Sequence, residues 1–274
     1  MSIDSKTVNQ YINRFASLIE EKRVREYSGD LKIGVDLGTA NIVLAVLDEE
    51  NEPVAGSLYP ASVVKDGLVV DYIGAVEIVR ELKKQTEELL GSPLTHAATA
   101  VPPGTFGKNK QAMANVVEAA DMEVRHMIDE PTAAAAALGV ADGAIVDIGG
   151  GTTGISILKE GEVIHTADEP TGGTHMTLTY AGHHRIPFAE ADKRKRDPKR
   201  QDEVFPIIQP VMEKMAAITK RLIGDYHVDQ LYLVGGASCF DGAERIFEKE
   251  TGIETIKPAH PLLITPLGIA LHDG

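Results

Sequence analysis

Two stretches of the chain share one pattern of apolar and polar positions. Residues 32–47, KIGVDLGTANIVLAVL, run from an apolar segment to Asp36, then to Gly38 and Thr39, then into a second apolar segment. Residues 143–158, GAIVDIGGGTTGISIL, repeat that layout with Asp147, three glycines and two threonines. Period-two alternation after the glycines (Ile155, Ser156, Ile157) predicts strand, and the glycine cluster predicts the turn. Each stretch is therefore predicted to be a β-hairpin with a carboxylate at the edge of its tip. Glycine at such a tip lets backbone N–H groups approach an anion that a Cβ would hold away. The two aspartates lie 111 residues apart, and the repetition predicts a duplicated fold whose tips face each other across a cleft. Two glycine tips and two carboxylates suit a polyphosphate with a divalent cation held through its water shell.

The remaining pattern alternates helices with short strands. Val8, Ile12, Phe15 and Ile19 recur at helical spacing, with Tyr11 and Leu18 on the same side, so residues 5–24 are predicted as an amphipathic helix. Two readings of it stand: it packs back on its own globular body, or it docks in a partner's groove. Residues 63–71 are predicted as a hairpin with Asp66-Gly67 at its corner. Residues 72–90 form an amphipathic helix, 97–101 a buried strand ending at Pro102-Pro103-Gly104, and 109–120 a further helix. Ile128–Gly139, IDEPTAAAAALG, predicts an alanine-rich helix with Pro131 in its first turn. Glu130 lies just before it, either as a helix-dipole partner or as the group that orients a water for attack on a phosphate. Residues 171–181 are polar and glycine-rich, and 190–203 read as a solvated charged loop or a docking patch for an acidic partner. Helices are predicted at 204–223 and 243–251. A strand at 230–234 runs into Gly235-Gly236-Ala237-Ser238, and a small-residue helix at 266–271 is predicted to pair with the alanine helix.

A net charge of −14 and 5 % aromatic residues argue against a basic nucleic-acid face or a base-stacking platform. No apolar run approaches the roughly 20 residues of a membrane span. The first 15 residues lack the apolar core of a secretory leader, and the single Cys239 precludes an internal disulfide, so a cytoplasmic protein is expected. Cys239 itself reads as a small packing residue. His165, His175, His183 and His184 fall in one window without zinc-site spacing, and neither a P-loop nor a nucleophile elbow occurs.

Five segments then occur in order: Asp36-Leu37-Gly38-Thr39, Ile128–Ala134, Asp147–Thr152, Val234–Ser238 and Pro266–Ala270. They resemble the phosphate 1, connect 1, phosphate 2, adenosine and connect 2 motifs of the actin, sugar kinase and heat-shock chaperone superfamily. The resemblance covers residues 31–272, and within the superfamily it is strongest to the chaperone-like proteins of bacterial ethanolamine-utilisation operons. It implies an α/β, actin-like ATPase fold: two ribonuclease-H-like lobes around a nucleotide cleft. The expected divisions are an N-terminal helical extension (1–30), lobe I (31–140) and lobe II (141–274), with the last helix, about 266–272, returning toward lobe I. It further implies ATP or ADP with Mg²⁺ as ligands. Asp36 and Asp147 would hold the metal, and Glu130 with those two aspartates would form the catalytic set. Gly38, Thr39, Ala40, Gly149, Gly150, Gly151, Thr152 and Thr153 would contact the phosphates, with Gly235, Gly236 and Ala237 backing the adenosine.

The chain departs from the chaperones in two places. Lys65-Asp66-Gly67 sits on a short hairpin, more like that of MreB-type actins, and no residue matches the chaperones' catalytic lysine. The 174–230 segment is much shorter than their adenine-clamping insertion. The function implied is a slow Mg²⁺-ATPase acting as a chaperone or assembly factor. Its expected partners are ethanolamine-degrading enzymes or microcompartment shell proteins, reached through the N-terminal helix or the basic stretch 193–200, with localisation to the cytoplasm or the compartment. The alternatives are a non-hydrolysing nucleotide-gated adaptor and an actin-like filament former.

Overall fold

The computed structural model describes residues 5–274 apart from 66, 104 and 106. The chain divides into two units, residues 1–141 together with 258–274, and residues 142–257.

The first unit begins with α1 (Ser5–Glu21), followed by β1 (Lys32–Leu37), β2 (Asn41–Leu47) and β3 (Pro53–Pro60). A short hairpin, β4 (Val64–Lys65) and β5 (Leu68–Val69), precedes α2 (Tyr72–Leu90). Its expected corner residue Asp66, like Gly104 after the next strand, lies outside the described residues. Then come β6 (His96–Val101), α3 (Gly107–Ala119), β7 (Glu123–Asp129) and α4 (Glu130–Leu138). The sheet order is β3-β2-β1-β6-β7; the first three strands are antiparallel neighbours, whereas β6 and β7 run parallel to β1. Asp71 caps α2 by accepting from the Gly74 N–H, and Gly91 closes it in the left-handed conformation.

Ile33, Val35 and Leu37 of β1 meet Val76, Val79 and Leu82 of α2 in a buried core. The alternate position, Gly34, faces the other way, where α9 (Ile264–Leu271) crosses the sheet. A Cβ on Gly34 would come within 2.5 Å of the Ala270 N, and one on Gly268 within 1.8 Å of the Ala133 carbonyl oxygen. Two small-residue helices, α4 and α9, thus pack at backbone distance. The physical reason is the absence of side-chain bulk along Ala133–Ala137 and at Gly268.

The N-terminal helix α1 lies on β3. Ile12 and Phe15 are fully buried, and the Phe15 ring fills the space above Gly56, where a Cβ would clash at 2.4 Å. Tyr11 donates to the Asn51 carbonyl, Arg14 pairs with Glu52 at 2.8 Å, and the Ala259 N–H donates to Asn9 Oδ1. Of the two readings of this helix, the structure supports packing on its own body.

The second unit repeats the topology: β8 (Gly143–Ile148), β9 (Thr153–Lys159) and β10 (Glu162–Glu169) form an antiparallel meander. The helices α5 (Gly173–His184), α6 (Phe188–Lys195) and α7 (Gln201–Ile223) follow, then β11 (Gln230–Val234), α8 (Ala243–Thr251) and β12 (Glu254–Ile256). Sheet order is β10-β9-β8-β11-β12, the same arrangement as in the first unit, with β11 and β12 parallel to β8 or to each other. Val146 and Ile148 pack with Met212 and Met215 of α7 and with Met176 and Tyr180 of α5.

Two sequence expectations are corrected here, and a third gains its structure. The stretch 171–181, polar and glycine-rich by composition, lies largely within α5 (Gly173–His184), which buries Met176 and Tyr180. Most of 190–203 is helical rather than a loop. Arg194 pairs with Glu190, Arg196 with Asp192 at 2.7 Å and Arg200 with Glu203 at 3.1 Å, while Ala191 is the one buried residue of α6. With so narrow an apolar contact, hydrophobic periodicity carries no helical signal there. Cys239 is exposed, not a packing residue.

Candidate functional site

In the second unit Asp147 stands one residue from the end of β8, and Gly149–Thr152 form the turn to β9. The Gly149 N–H closes that turn by donating to the Thr152 carbonyl at 3.0 Å. Thr153 begins β9, fully buried, and its hydroxyl donates to the Thr171 carbonyl at 2.6 Å. The start of α5 is tied to the same turn. The Gly173 N–H donates to Gly149 O at 2.9 Å, and the Thr174 N–H to Gly150 O at 2.8 Å. A Cβ on Gly172 would fall 2.7 Å from both Gly151 C and Thr152 N, so only glycine permits this approach.

Gly235 and Gly236 follow β11, whose last residue, Val234, is paired in register with Asp147. Gly235 has φ +86°, and a Cβ there would lie 2.2 Å from Asp147 Oδ1. Ala237 is buried, and its Cβ would be 3.2 Å from one built on Gly173. The unit thus brings together Asp147, the Gly149–Thr153 turn and Gly235–Ala237, all at the C-terminal ends of its parallel strands β8 and β11. That is the edge at which open α/β sheets present their ligand sites.

Asp147 is partly buried. Burial, together with the negative charge of Asp168, raises its pKa to about 6. The register explains the second cause: Asp147 and Asp168 both pair with Gly154, from β8 and β10, and so share one face of the sheet. Asp168 Oδ1 stands 3.2 Å from where a Gly154 Cβ would be, so the glycine leaves the two carboxylates unseparated by a side chain. Sequence reasoning missed Asp168, Gly172 and Gly173. The glycine pair before a helix was a usable signal; the pairing of Asp168 with Asp147 depends on strand register and had none.

In the first unit Asp36 holds the equivalent place on β1, and Gly38, Thr39 and Ala40 make the turn to β2. A Cβ on Gly38 would meet the Asn41 carbonyl oxygen at 2.7 Å, and the Ala40 carbonyl accepts from the Ala61 N–H. Glu130 opens α4 immediately after β7, at the same C-terminal edge of the parallel strands, with β6 between it and Asp36. Its neighbour Asp129 caps the helix, accepting from the Thr132 N–H at 3.0 Å and from its hydroxyl at 2.8 Å. The cap falls to Asp129, and Glu130 stands in the first turn of α4, where its charge meets the positive end of the helix dipole. Among the described residues no cluster of three or more metal-ligating side chains occurs, the His165–His184 window included.

The basic stretch is mostly neutralised within its own helices, since Arg194, Lys195, Arg196 and Arg200 each pair with a carboxylate at 190, 192, 197 or 203. No helix among the described residues is long and apolar enough to cross a membrane.

These units match known proteins. The model of the family described as Hsp70 protein matches residues 66–201, and that of cell division protein FtsA matches residues 144–268. The chain is 46 % identical over 241 residues to the ethanolamine utilization protein EutJ of Salmonella typhimurium (strain LT2), covering 88 % of this chain and 85 % of that protein. It superimposes on the crystal structure of EutJ from Carboxydothermus hydrogenoformans with a TM-score of 0.95 and 51 % identity, covering 99 % of this chain and 100 % of the other. MreB5 of Spiroplasma citri bound to AMPPNP shares the fold, with a TM-score of 0.71 at 16 % identity over 89 % of this chain and 96 % of that one. By sequence identity and coverage, the chain with its two Asp-glycine hairpins belongs to the EutJ family of ethanolamine utilization proteins.

Proposed function

We propose that this protein binds a magnesium adenine nucleotide, hydrolyses it slowly, and acts as a chaperone-like or assembly factor in ethanolamine utilisation. The observation that carries the reading is the repeated construction of the two units. Each has an aspartate near the end of its first strand, beside a glycine turn, on a five-stranded sheet of one topology. The fold is shared with MreB5, a protein whose structures hold AMPPNP and ADP. The donor chemistry fits magnesium: the carboxylates of Asp36, Asp147 and Asp168 are hard oxygen ligands, and a cation beside Asp147 would relieve the repulsion that raises its pKa.

In this reading Asp36 and Asp147 would hold Mg²⁺, which when bound would neutralise phosphate charge. Gly38–Ala40 and Gly150–Thr152 would receive the phosphates on backbone N–H groups, Gly149 and Thr153 framing the second turn, and Gly235–Ala237 would back the adenosine. Glu130 orients the attacking water and accepts its proton. Catalysis of this kind is placement and charge neutralisation.

The test is calorimetric titration with Mg-ATP, with phosphate release followed in the same sample, on wild type and Glu130→Ala. The expected result is binding in both and hydrolysis reduced by roughly 10²-fold in the variant. Binding without turnover in either protein would replace the ATPase with a nucleotide-gated adaptor. Absence of binding would overturn the nucleotide reading altogether.

A further inference from the structure

Lys195, the last residue of α6, belongs to the basic stretch, yet it does not reach solvent as its neighbours do. Its side chain is 11 % exposed, against 40 % for Arg196. The ammonium donates to the Gly173 carbonyl at 3.0 Å and to Thr177 Oγ1 at 2.6 Å, and pairs with Asp192 Oδ1 at 2.9 Å. The fully buried Thr177 closes the set. Its hydroxyl lies 3.1 Å from the Gly173 carbonyl and 2.9 Å from Asp192 Oδ1. Three donors on the ammonium therefore meet three acceptors, of which the Gly173 carbonyl lies in the first turn of α5 and Thr177 one turn further on.

That first turn is the one bonded to the glycine turn. The Gly173 N–H donates to Gly149 O and the Thr174 N–H to Gly150 O, while the Gly173 carbonyl receives Lys195. One residue thus links the glycine turn on one side to a buried cation on the other. Gly173 also abuts Ala237, beside the Gly235-Gly236 junction. Burial pushes the Lys195 pKa down, and Asp192 works against that shift by favouring the charged form. Burying an ammonium costs free energy unless it is paired and hydrogen-bonded, and here Asp192, Thr177 and the Gly173 carbonyl meet that condition, fixing α6 to the N-terminus of α5.

We propose that Lys195 is a positioning residue for the nucleotide phosphates. It locks the α5 N-terminus against the Gly149–Thr152 turn, holding the turn's N–H groups and the positive end of the helix dipole in place. The inference rests on the nucleotide reading above and deepens it: it names a residue of the second unit that holds the phosphate turn in place.

The experiment is calorimetric titration of the full chain with Mg-ADP and, separately, with adenosine, on wild type, Lys195→Met and Thr177→Val, each checked for folding by thermal melting. The expected result is an affinity for Mg-ADP weaker by about tenfold or more in Lys195→Met, with adenosine affinity held within about twofold. Thr177→Val, which keeps the charge and the shape but removes one partner, should show a smaller loss of the same kind, and it carries the test if Lys195→Met does not fold. Unchanged Mg-ADP affinity in the folded variants overturns the proposal, as does an equal loss for both ligands, which would mark a structural role alone. A wild type that binds neither ligand overturns the nucleotide reading, and this inference with it.

Discussion

Asp48, at the end of β2, is 5 % exposed and carries one of the denser hydrogen-bond sets in the first unit. It accepts from the Glu50 and Glu52 N–H groups at 3.0 and 2.9 Å and pairs with Arg25, whose Nε also donates to the Pro53 carbonyl. Burial pushes its pKa upward, but the Glu52 N–H and the Arg25 guanidinium outweigh burial and hold the carboxyl below the usual range. A depressed carboxylate pKa stabilises the fold above the unfolded value, about 3.9, and that contribution is lost as pH falls through the lower folded value. Asp48→Asn should therefore melt below wild type at pH 7, with the gap narrowing as the pH drops under about 4. A gap that stays constant down to pH 2.5 in thermal melts would show that the charge of Asp48 contributes nothing. The same scale contains Gly268 and Gly235, whose missing side chains admit an Ala133 carbonyl and the Asp147 carboxylate respectively. Sequence reading marked both as motif glycines, but which atom each one admits follows only from the packing.

Among the elements, α1 illustrates how an amphipathic pattern underdetermines its partner. The i, i+4, i+7 spacing of Val8, Ile12 and Phe15 was legible in the sequence, but it fits an intramolecular sheet or a partner's groove equally well. The structure spends the apolar face on β3, with Gly56 making room for the Phe15 ring. A helix whose apolar face is already buried is poorly suited to act through that face as a tether. Phe15→Ala should accordingly destabilise the first unit by about 3–5 kcal/mol, readable as a lower denaturation midpoint. A variant as stable as wild type would show that α1 does not rest on the sheet. The helix α6 is the opposite case: one buried alanine and a row of ion pairs offer no apolar period, so the helix was invisible to pattern reading.

For the whole molecule, the repetition that the two Asp-glycine stretches announced is realised as one strand order used twice, β3-β2-β1-β6-β7 and β10-β9-β8-β11-β12. The topology puts the Asp-glycine turn of each unit at the C-terminal edge of its parallel strands. The carboxylates at these edges give a requirement that can be measured. Removing magnesium with a chelator should weaken ATP binding, with affinity restored on adding Mg²⁺ back; ATP binding equally tight without the metal would remove Asp36 and Asp147 from the metal role.

The sequence alone determined what depends on near neighbours. Strand and helix periods, the glycine turns after Asp36 and Asp147 and the proline-led alanine helix are all written within a few residues of themselves. Tertiary structure decided what depends on register and on distant packing. Asp168 stands beside Asp147 because two strands both pair with Gly154. The pairing of α9 with α4 was readable from their small residues, but that Gly34 and Gly268 bring α9 to within backbone distance of β1 and of Ala133 follows only from the packing. Lys195 reaches the Gly173 carbonyl because α6 folds back on α5. In each case the two partners are far apart in sequence, so no local pattern encodes their meeting; it is fixed only when the sheets form and the helices pack onto them.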